Sequence, residues 1–593
     1  MKRMLLLTGL LACVAADAAA FENPRQGEGY LHSSWSTVHA DSSNSDHVPL
    51  AMTAKLRQRW HLLKGAGIWT PPVVAEDGTV YAVTGKGAGH SHLHAISPDG
   101  KILWQSTPQR SMADLDSLAV ISAPVLDEGG DIYIGDGNQL WAFHRDGTVK
   151  WVADLPVLGV HAPFVTSIIV REYVGGVSLD GKVLLLHRNT GDLAMPLLDL
   201  PGGGSPLGPP IPDALWKDLI DPTIRDQAWE ILRGHRYEIT NTPAVHPRTG
   251  RIYVIGAGTD ESYGHFYGID VADDRLKIAF VTKVPAGSGT SPGISPGGER
   301  LYAMAEGQIF AIDADTGQKL WSKDVNGQDA SPTVGPDDTV YVLGGQRLVA
   351  IEGAKGEIRW QRDYNDFVGQ HLPTLWTRFG LLERGEPVGA IDSVASITPD
   401  LMWTTVLGGY LMDFFGKKFQ HAAKTWLIAV KPQDGSLIAS YPLSDTSEGG
   451  ITVGPRGELY LDMLGAIASI AHHGGYQWIL PRDAQMAEPV GGLIAFEQAD
   501  LKEHCLAGLD WARRLLQGKG GNTVEKELVP ARAAGQLAVS AHCIDSLQPG
   551  SDTPQDAAGE LYSLAARVTA CSWGDCSLEP FVAELDSIIA QLR

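Results

Sequence analysis

Along most of this chain, apolar positions come in short alternating runs that end in turn-forming residues. Phe310-Ala311-Ile312 is one such run, Asp313-Ala314-Asp315-Thr316-Gly317 is turn-forming, and Lys319-Leu320-Trp321 resumes the alternation. Asp and Thr side chains hydrogen-bond turning backbone and Gly accepts positive φ, so the stretch predicts an antiparallel hairpin. A lone hairpin is unstable in water, which makes repetition the next question.

The pattern recurs. His94-Ala95-Ile96 leads through Gly100 to Trp104, and Trp141-Ala142-Phe143 leads through Gly147 to Trp151. Leu186–Gly191 follows with Met195 at the Trp position, and a degenerate copy at Gly268–Asp274 places Ile278 there. Ala350-Ile351-Glu352 leads through Gly356 to Trp360, and Ala429-Val430-Lys431 leads to Gly435. An eighth start, Ile494-Ala495-Phe496-Glu497, has no Trp strand after it. A shorter pattern of the type Ser331-Pro332-Thr333-Val334 then Thr339-Val340-Tyr341-Val342 precedes each copy, so each unit reads as four strands. Leu56-Arg57-Gln58-Arg59-Trp60 supplies the missing outer strand from the N-terminal side, closing a ring and covering its open edge. The expectation is an all-β, eight-bladed propeller of four-stranded antiparallel blades over residues 55–497.

Ala311-Ile312-Asp313-x-x-Thr316-Gly317-x-x-x-Trp321 resembles the repeat of the PQQ-like β-propeller family. That family includes quinoprotein alcohol dehydrogenases and a periplasmic outer-membrane assembly scaffold. Trp35-x-x-x-His39-x-Asp41-x-x-Asn44 is similar to the segment preceding the first blade in such proteins, and the resemblance spans Trp35 to Phe496. It implies the fold. For an enzyme of the family it further implies PQQ in the axis over a Trp and under a vicinal Cys pair, with Ca²⁺ on acidic and Asn side chains. No Cys-Cys dipeptide occurs in this chain, and the propeller region holds no cysteine. PQQ with Ca²⁺ is therefore the alternative, and a binding or scaffold protein the first reading.

Composition narrows the setting. The net charge of −22 disfavours nucleic acid as a partner. Lys2 and Arg3, the apolar Leu5–Val14 and Ala18-Ala19-Ala20 read as a secretory signal over residues 1–20, too short to span a bilayer. A mature chain beginning at Phe21, periplasmic or secreted, is expected, with a lipoprotein at Cys13 as the alternative. Residues 21–54 are a lead-in to the first blade. The remaining cysteines, Cys505, Cys543, Cys571 and Cys576, cluster in the last hundred residues and predict disulfides. Cys505–Cys543 with Cys571–Cys576 is the first choice, the other pairings staying open. Helical periodicity at Leu506–Leu516, Leu537–Leu547, Leu561–Val568 and Phe581–Leu592 makes residues 498–593 a small disulfide-linked α-helical module.

Insertions break the strand pattern at Pro201–Arg236, Arg362–Val388, Tyr410–Lys424 and Ile467–Val490. They are between-blade connections or second-to-third-strand connections, which emerge on one face of a four-stranded propeller. Long loops grouped on a rigid scaffold are where binding resides. The candidate binding face comprises His371 and Trp376 from the second insertion, and Asp413, Phe414, Phe415 and His421 from the third. His472, His473 and Trp478 complete it from the fourth. Tyr410–Lys424 is expected to be an amphipathic partner helix or a lid. The occupant would be a protein, polymer or small molecule, with the helical tail as a further contributor, and the protein is expected to be a monomer. His90, His92 and His94 alternate as metal ligands on a strand could, but His94 holds a position filled by Trp141, Phe310 and Val349 elsewhere, which favours a packing role and no metal site. No catalytic residue is assigned.

Overall fold

The computed structural model describes residues 23–593 except 86–89, 107–113, 202–238, 240, 261–262, 273–274, 287–288, 328–329, 345, 373–385, 392, 415–416, 445, 448, 465–489, 520–528, 546, 548–556 and 572–576. Its strands gather into eight antiparallel sheets, seven of four strands and one of five, forming an eight-bladed β-propeller. Blade five shows the unit: Gly293–Ile294 innermost, then Arg300–Ala305, Gln308–Asp313 and Lys319–Asp324 outermost. Its last turn is built as the side chains predict. Thr316 N and Oγ1 donate to Asp313 Oδ1 at 2.8 and 2.7 Å, and Gly317 sits at φ +75°.

The repeat's Trp and Gly meet between blades. Trp321 pairs with small Ala311 across its own sheet, while its indole N–H donates to Gly353 O of blade six at 2.8 Å. A Cβ on Gly356 would lie 2.6 Å from that indole, so the next blade's turn must be glycine both for its φ of +71° and for the ring above it. Trp104 with Gly147, Trp151 with Gly191 and Trp360 with Gly435 repeat this contact. Ile278 is not the equivalent residue in blade four. There Gly268 pairs with Phe280, and a Cβ on Gly317 would meet Phe280 at 2.4 Å. The hairpin runs on through Ala272–Arg275 before turning, so counting four residues from the turn falls two short.

Leu56–Leu62 pairs with Gly492–Gln498, completing blade eight. Trp60 stands opposite Ala495 and donates to Pro98 O of blade one at 3.0 Å, the same contact made across the closure.

The lead-in is a strap across the axis. Amides at the ends of six innermost strands donate to its carbonyls: Val74 to Trp35, Leu126 to Ser36, Val245 to Ser42, Ile294 to Ser43, Val334 to Ser45 and Ile397 to Asp46, and Arg171 N, just past the innermost strand of blade three, donates to Glu28 O. Arg25, buried, donates to Val334 O and Gly335 O at 2.6 and 2.8 Å. Asn44 Nδ2 bridges Thr242 O and Pro292 O, and Asp41 accepts from Asn23 and Ser43. The strap thus satisfies inner-edge groups that would otherwise be buried without partners.

Five α-helices are described: α1 (Asn365–His371), α2 (Leu501–Leu516), α3 (Val529–Asp545), α4 (Ala557–Ala570) and α5 (Glu579–Leu592). The last four share one apolar core centred on Leu509, Leu537, Leu561 and Leu585. Asp500 caps α2 by accepting from Glu503 N at 2.9 Å. Cys505–Cys543 ties α2 to α3, where a Cβ on Gly508 would strike Ser540 Oγ at 2.4 Å. Cys571 is also disulfide-bonded, and Cys576 lies outside the described residues. No helix among the described residues is long and apolar enough to cross a membrane.

The module does not join the insertion-bearing face. The third strand of blade eight ends at Gln498, the end at which the other third strands enter their Gly turns. It therefore docks on the turn face, through Gln536 Oε1, which accepts from Ala51 N of the strap at 3.1 Å, and through the Arg514–Asp400 ion pair.

His504 on α2 anchors the same junction, 3 % exposed against Gly457 of blade eight. Burial pushes its imidazole down to about 4, with Glu458 and the Arg456 carbonyl offsetting part of that. The folded value lies below the unfolded one near 6.5, so this contribution is complete above pH ~6.5 and is lost as pH falls toward 4. Between pH 7.5 and 5, His504→Gln should lose about 2 kcal/mol less stability than wild type in urea unfolding. Equal losses in the two proteins would refute the assignment.

Candidate functional site

Among the described residues, the insertion-bearing face is raised furthest at blade seven. Its second and third strands, Met402–Phe414 and Lys417–Val430, run 13 and 14 residues against six in blade five. Tyr410–Lys424 is thus a β-hairpin and not a helix. The segment links second to third strands, so the ladder simply continues upward, and Gly416 at its centre is a poor helix residue. Glu386–Ile391 pairs along the raised part as a fifth strand.

Helix α1 packs against the root of this hairpin. A Cβ on Gly408 would meet Trp426 at 2.5 Å and Val368 at 3.1 Å, and one on Gly389 would meet Val368 at 2.9 Å. These glycines let α1 approach the sheet closely. His371, at the end of α1, donates from Nδ1 to Phe367 O at 2.8 Å, and its ring lies 4.5 Å from Phe367 and 5.6 Å from Trp426. Backbone register pairs position 421 with 410 and 414 with 417, placing His421 and Phe414 on one hairpin face and Asp413 on the other. Trp376, Phe415, His472, His473 and Trp478 lie outside the described residues.

Beside α1, a cavity of about 440 Å³ opens between blades five and six on this face, lined by Asp324, Asn326, Arg347, Gln361, Asp363 and Asn365 among others. The sequence reading missed these residues, which sit at strand ends with no motif around them. It also missed a belt of buried hydroxyls at the insertion-face ends of the inner strands. Thr242 Oγ1 donates to Thr166 Oγ1 at 3.0 Å, Thr242 N to Ser291 Oγ at 3.0 Å, and Ser291 N to Ser331 Oγ at 3.1 Å. Across blades seven and eight, Thr405 Oγ1 donates to Ser447 O and Ser447 Oγ to Asp462 Oδ1. A signal existed in the recurrent Thr70-Pro71, Thr242-Pro243, Ser291-Pro292 and Ser331-Pro332.

This belt does not fit a PQQ–Ca²⁺ centre. Its hydroxyls are engaged with backbone amides, a carbonyl, the Asp462 carboxylate and, at Thr242–Thr166, each other, and no group of three His, Cys, Asp or Glu among the described residues could hold a metal. The His90–His94 run is likewise engaged: His92 Nδ1 meets Thr84 O at 3.0 Å, and His94, fully buried, has Nε2 on Ser91 O. Burial pushes the His94 imidazole down to about 4.

Fold and axial strap together define a closed PQQ-like propeller. The family model described as outer membrane protein assembly factor BamB matches residues 51–199 and 283–455, more than half of the chain, and the chain belongs to that family. No curated protein matches it. Among solved structures it is similar to BamB from Moraxella catarrhalis at 14 % identity, covering 75 % of this chain and 99 % of that one with a TM-score of 0.42. The quinohemoprotein alcohol dehydrogenase from Comamonas testosteroni is 12 % identical, covering 90 % and 100 % with a TM-score of 0.44. A europium-containing methanol dehydrogenase is 13 % identical, covering 80 % and 99 % with a TM-score of 0.37.

Proposed function

We propose that this chain is an exported binding or scaffold propeller, acting in the periplasm or outside the cell, whose working surface is the insertion-bearing face. The observation that carries the reading is blade seven, where two strands of 13 and 14 residues lift a hairpin clear of the ring beside α1. Extending a strand pair far past the blade exposes backbone and side chains that the propeller core does not need, and such features on rigid scaffolds serve recognition. The neighbouring polar cavity offers a second contact on the same face. Membership of a family described by an outer-membrane assembly factor supports a protein partner over a nucleic acid, as does the net charge of −22.

The oxidoreductase alternative is tested by titrating purified protein with PQQ and Ca²⁺, following absorbance and dye-linked alcohol oxidation. The proposal expects no saturable quinone spectrum and no dye reduction. One equivalent of bound quinone with Ca²⁺-dependent turnover would overturn it.

A further inference from the structure

The outermost strand of each blade leaves one edge unpaired among the described residues, and blade four's differs from the rest. It runs ten residues, Arg275–Val284, against two to seven in the other blades. It also carries three cations, Arg275, Lys277 and Lys283, and no acid, on a chain of net charge −22.

The side chains of this strand divide by face. Phe280 and Thr282 turn toward blade five: a Cβ on Gly317 would meet Phe280 at 2.4 Å, and Thr282 Oγ1 donates to Gly317 O at 2.6 Å. Arg275, Lys277, Ala279, Val281 and Lys283 form the other row, which is exposed along its whole length, Val281 to 43 %. Lys283 is held in place by Tyr263, whose ring lies 3.3 Å beneath its ammonium group. Neither Lys277 nor Lys283 has an ion pair among the described residues. By contrast, Arg57 and Arg59 on the outermost strand of blade eight are both engaged, with Glu497 and Asp99.

An open strand edge offers its backbone donors and acceptors to an incoming strand, and the side chains beside it select which strand enters. Two copies of this edge would set cation against cation, which disfavours pairing with a second copy of the chain. The same charges favour an acidic strand. We propose that the rim of blade four receives an extended acidic segment of a protein partner by strand addition along Arg275–Val284. Carboxylates of the segment face Lys277 and Lys283, and small apolar residues between them face Ala279 and Val281. This surface lies on the perimeter, apart from the blade-seven hairpin, and gives the scaffold a second contact.

The experiment is fluorescence anisotropy of the full chain with the capped peptide Thr-Glu-Thr-Val-Thr-Val-Thr-Glu-Thr. Its Glu and Val residues share one face at the spacing of Lys277, Ala279, Val281 and Lys283. It should bind at least tenfold more tightly than the same peptide with Lys in place of Glu, and than the form methylated on every backbone nitrogen. The double variant Lys277→Glu/Lys283→Glu should bind it at least tenfold more weakly and prefer the Lys peptide, while melting within a few degrees of wild type. Bound peptide should slow amide hydrogen exchange within Arg275–Val284. No binding at 2 mM acidic peptide, equal binding of the methylated form, indifference to the charge reversal, or protection confined to other strands would each overturn the site. A dimer that protects these amides without peptide would give the edge to a second copy and overturn it as well.

Discussion

Replacing Leu56–Leu62 by seven Gly and Ser residues should lower stability by more than about 5 kcal/mol and the melting temperature by about 5 °C or more. The change keeps the chain length, so the lead-in and first blade stay connected. What it removes is the outer strand of blade eight, paired along Gly492–Gln498, and the Trp60 indole seated on Gly100 and Pro98 O. A fully buried Trp contributes about 3–5 kcal/mol; Trp60 is half-buried and contributes part of that, and an open sheet edge is added to its loss. The same replacement in Lys319–Asp324 of blade five is the control. Blade five stays joined to covalent neighbours on both sides, so the ring remains closed and the loss should be smaller. A closing-strand variant that melts within two or three degrees of wild type would show that the clasp is dispensable.

The second large effect lies in the strap. Arg25→Ala should cost about 3–5 kcal/mol, because it removes a fully buried guanidinium and leaves Asp41 without its compensating charge. Burial already raises the Asp41 carboxyl to about 6, with Arg25 the main influence holding it down. Without Arg25 the value must rise further. A carboxyl whose folded value exceeds its unfolded one near 3.9 destabilises when charged, above the folded value, and is relieved as pH falls. The penalty of Arg25→Ala should therefore be larger at pH 8 than at pH 5, and Asp41→Asn should recover part of it. A penalty independent of pH would mean that the two groups are not coupled.

Much of this architecture was legible because the repeat obeys local rules. Asp313, Thr316 and Gly317 build their turn from their own side chains, and Trp60 could be assigned to blade eight because it resembles Trp321. The four C-terminal helices were readable for the same reason, each carrying a leucine stripe into one core. Phe280 was missed because blade four slides its turn by two residues, which sequence counting cannot detect. The blade-seven hairpin was misread as helical because Phe and Lys residues spaced along Tyr410–Lys424 mimic an amphipathic face. The strand pairing that decides the matter is set by Met402–Leu407 below it.

The lead-in was recognisable from Trp35, His39, Asp41 and Asn44, but its burial as a strap was illegible for a different reason. Residues 32–47 are Ser-, His- and Asp-rich with no apolar period, which reads as loop. They are buried because their partners are strand ends as far off in the chain as Ile397, which bonds Asp46, and Val334, which bonds Ser45. The hydroxyl belt and the cavity beside Asn365 are equally non-local. Each is assembled from single residues of separate blades, so no window of sequence contains them.

The working surface is tested most directly by shortening the blade-seven hairpin. Leu407 and Thr425 face each other across the ladder, so replacing residues 408–424 by Asn-Gly should close a two-residue turn there and leave the ring intact. Wild-type and shortened protein are then used for cross-linked capture from native envelope, with melting temperatures measured in parallel. The account predicts that partners held by wild type are lost from the shortened protein while the two melt within a few degrees of each other. Capture of an identical set by both proteins would contradict it.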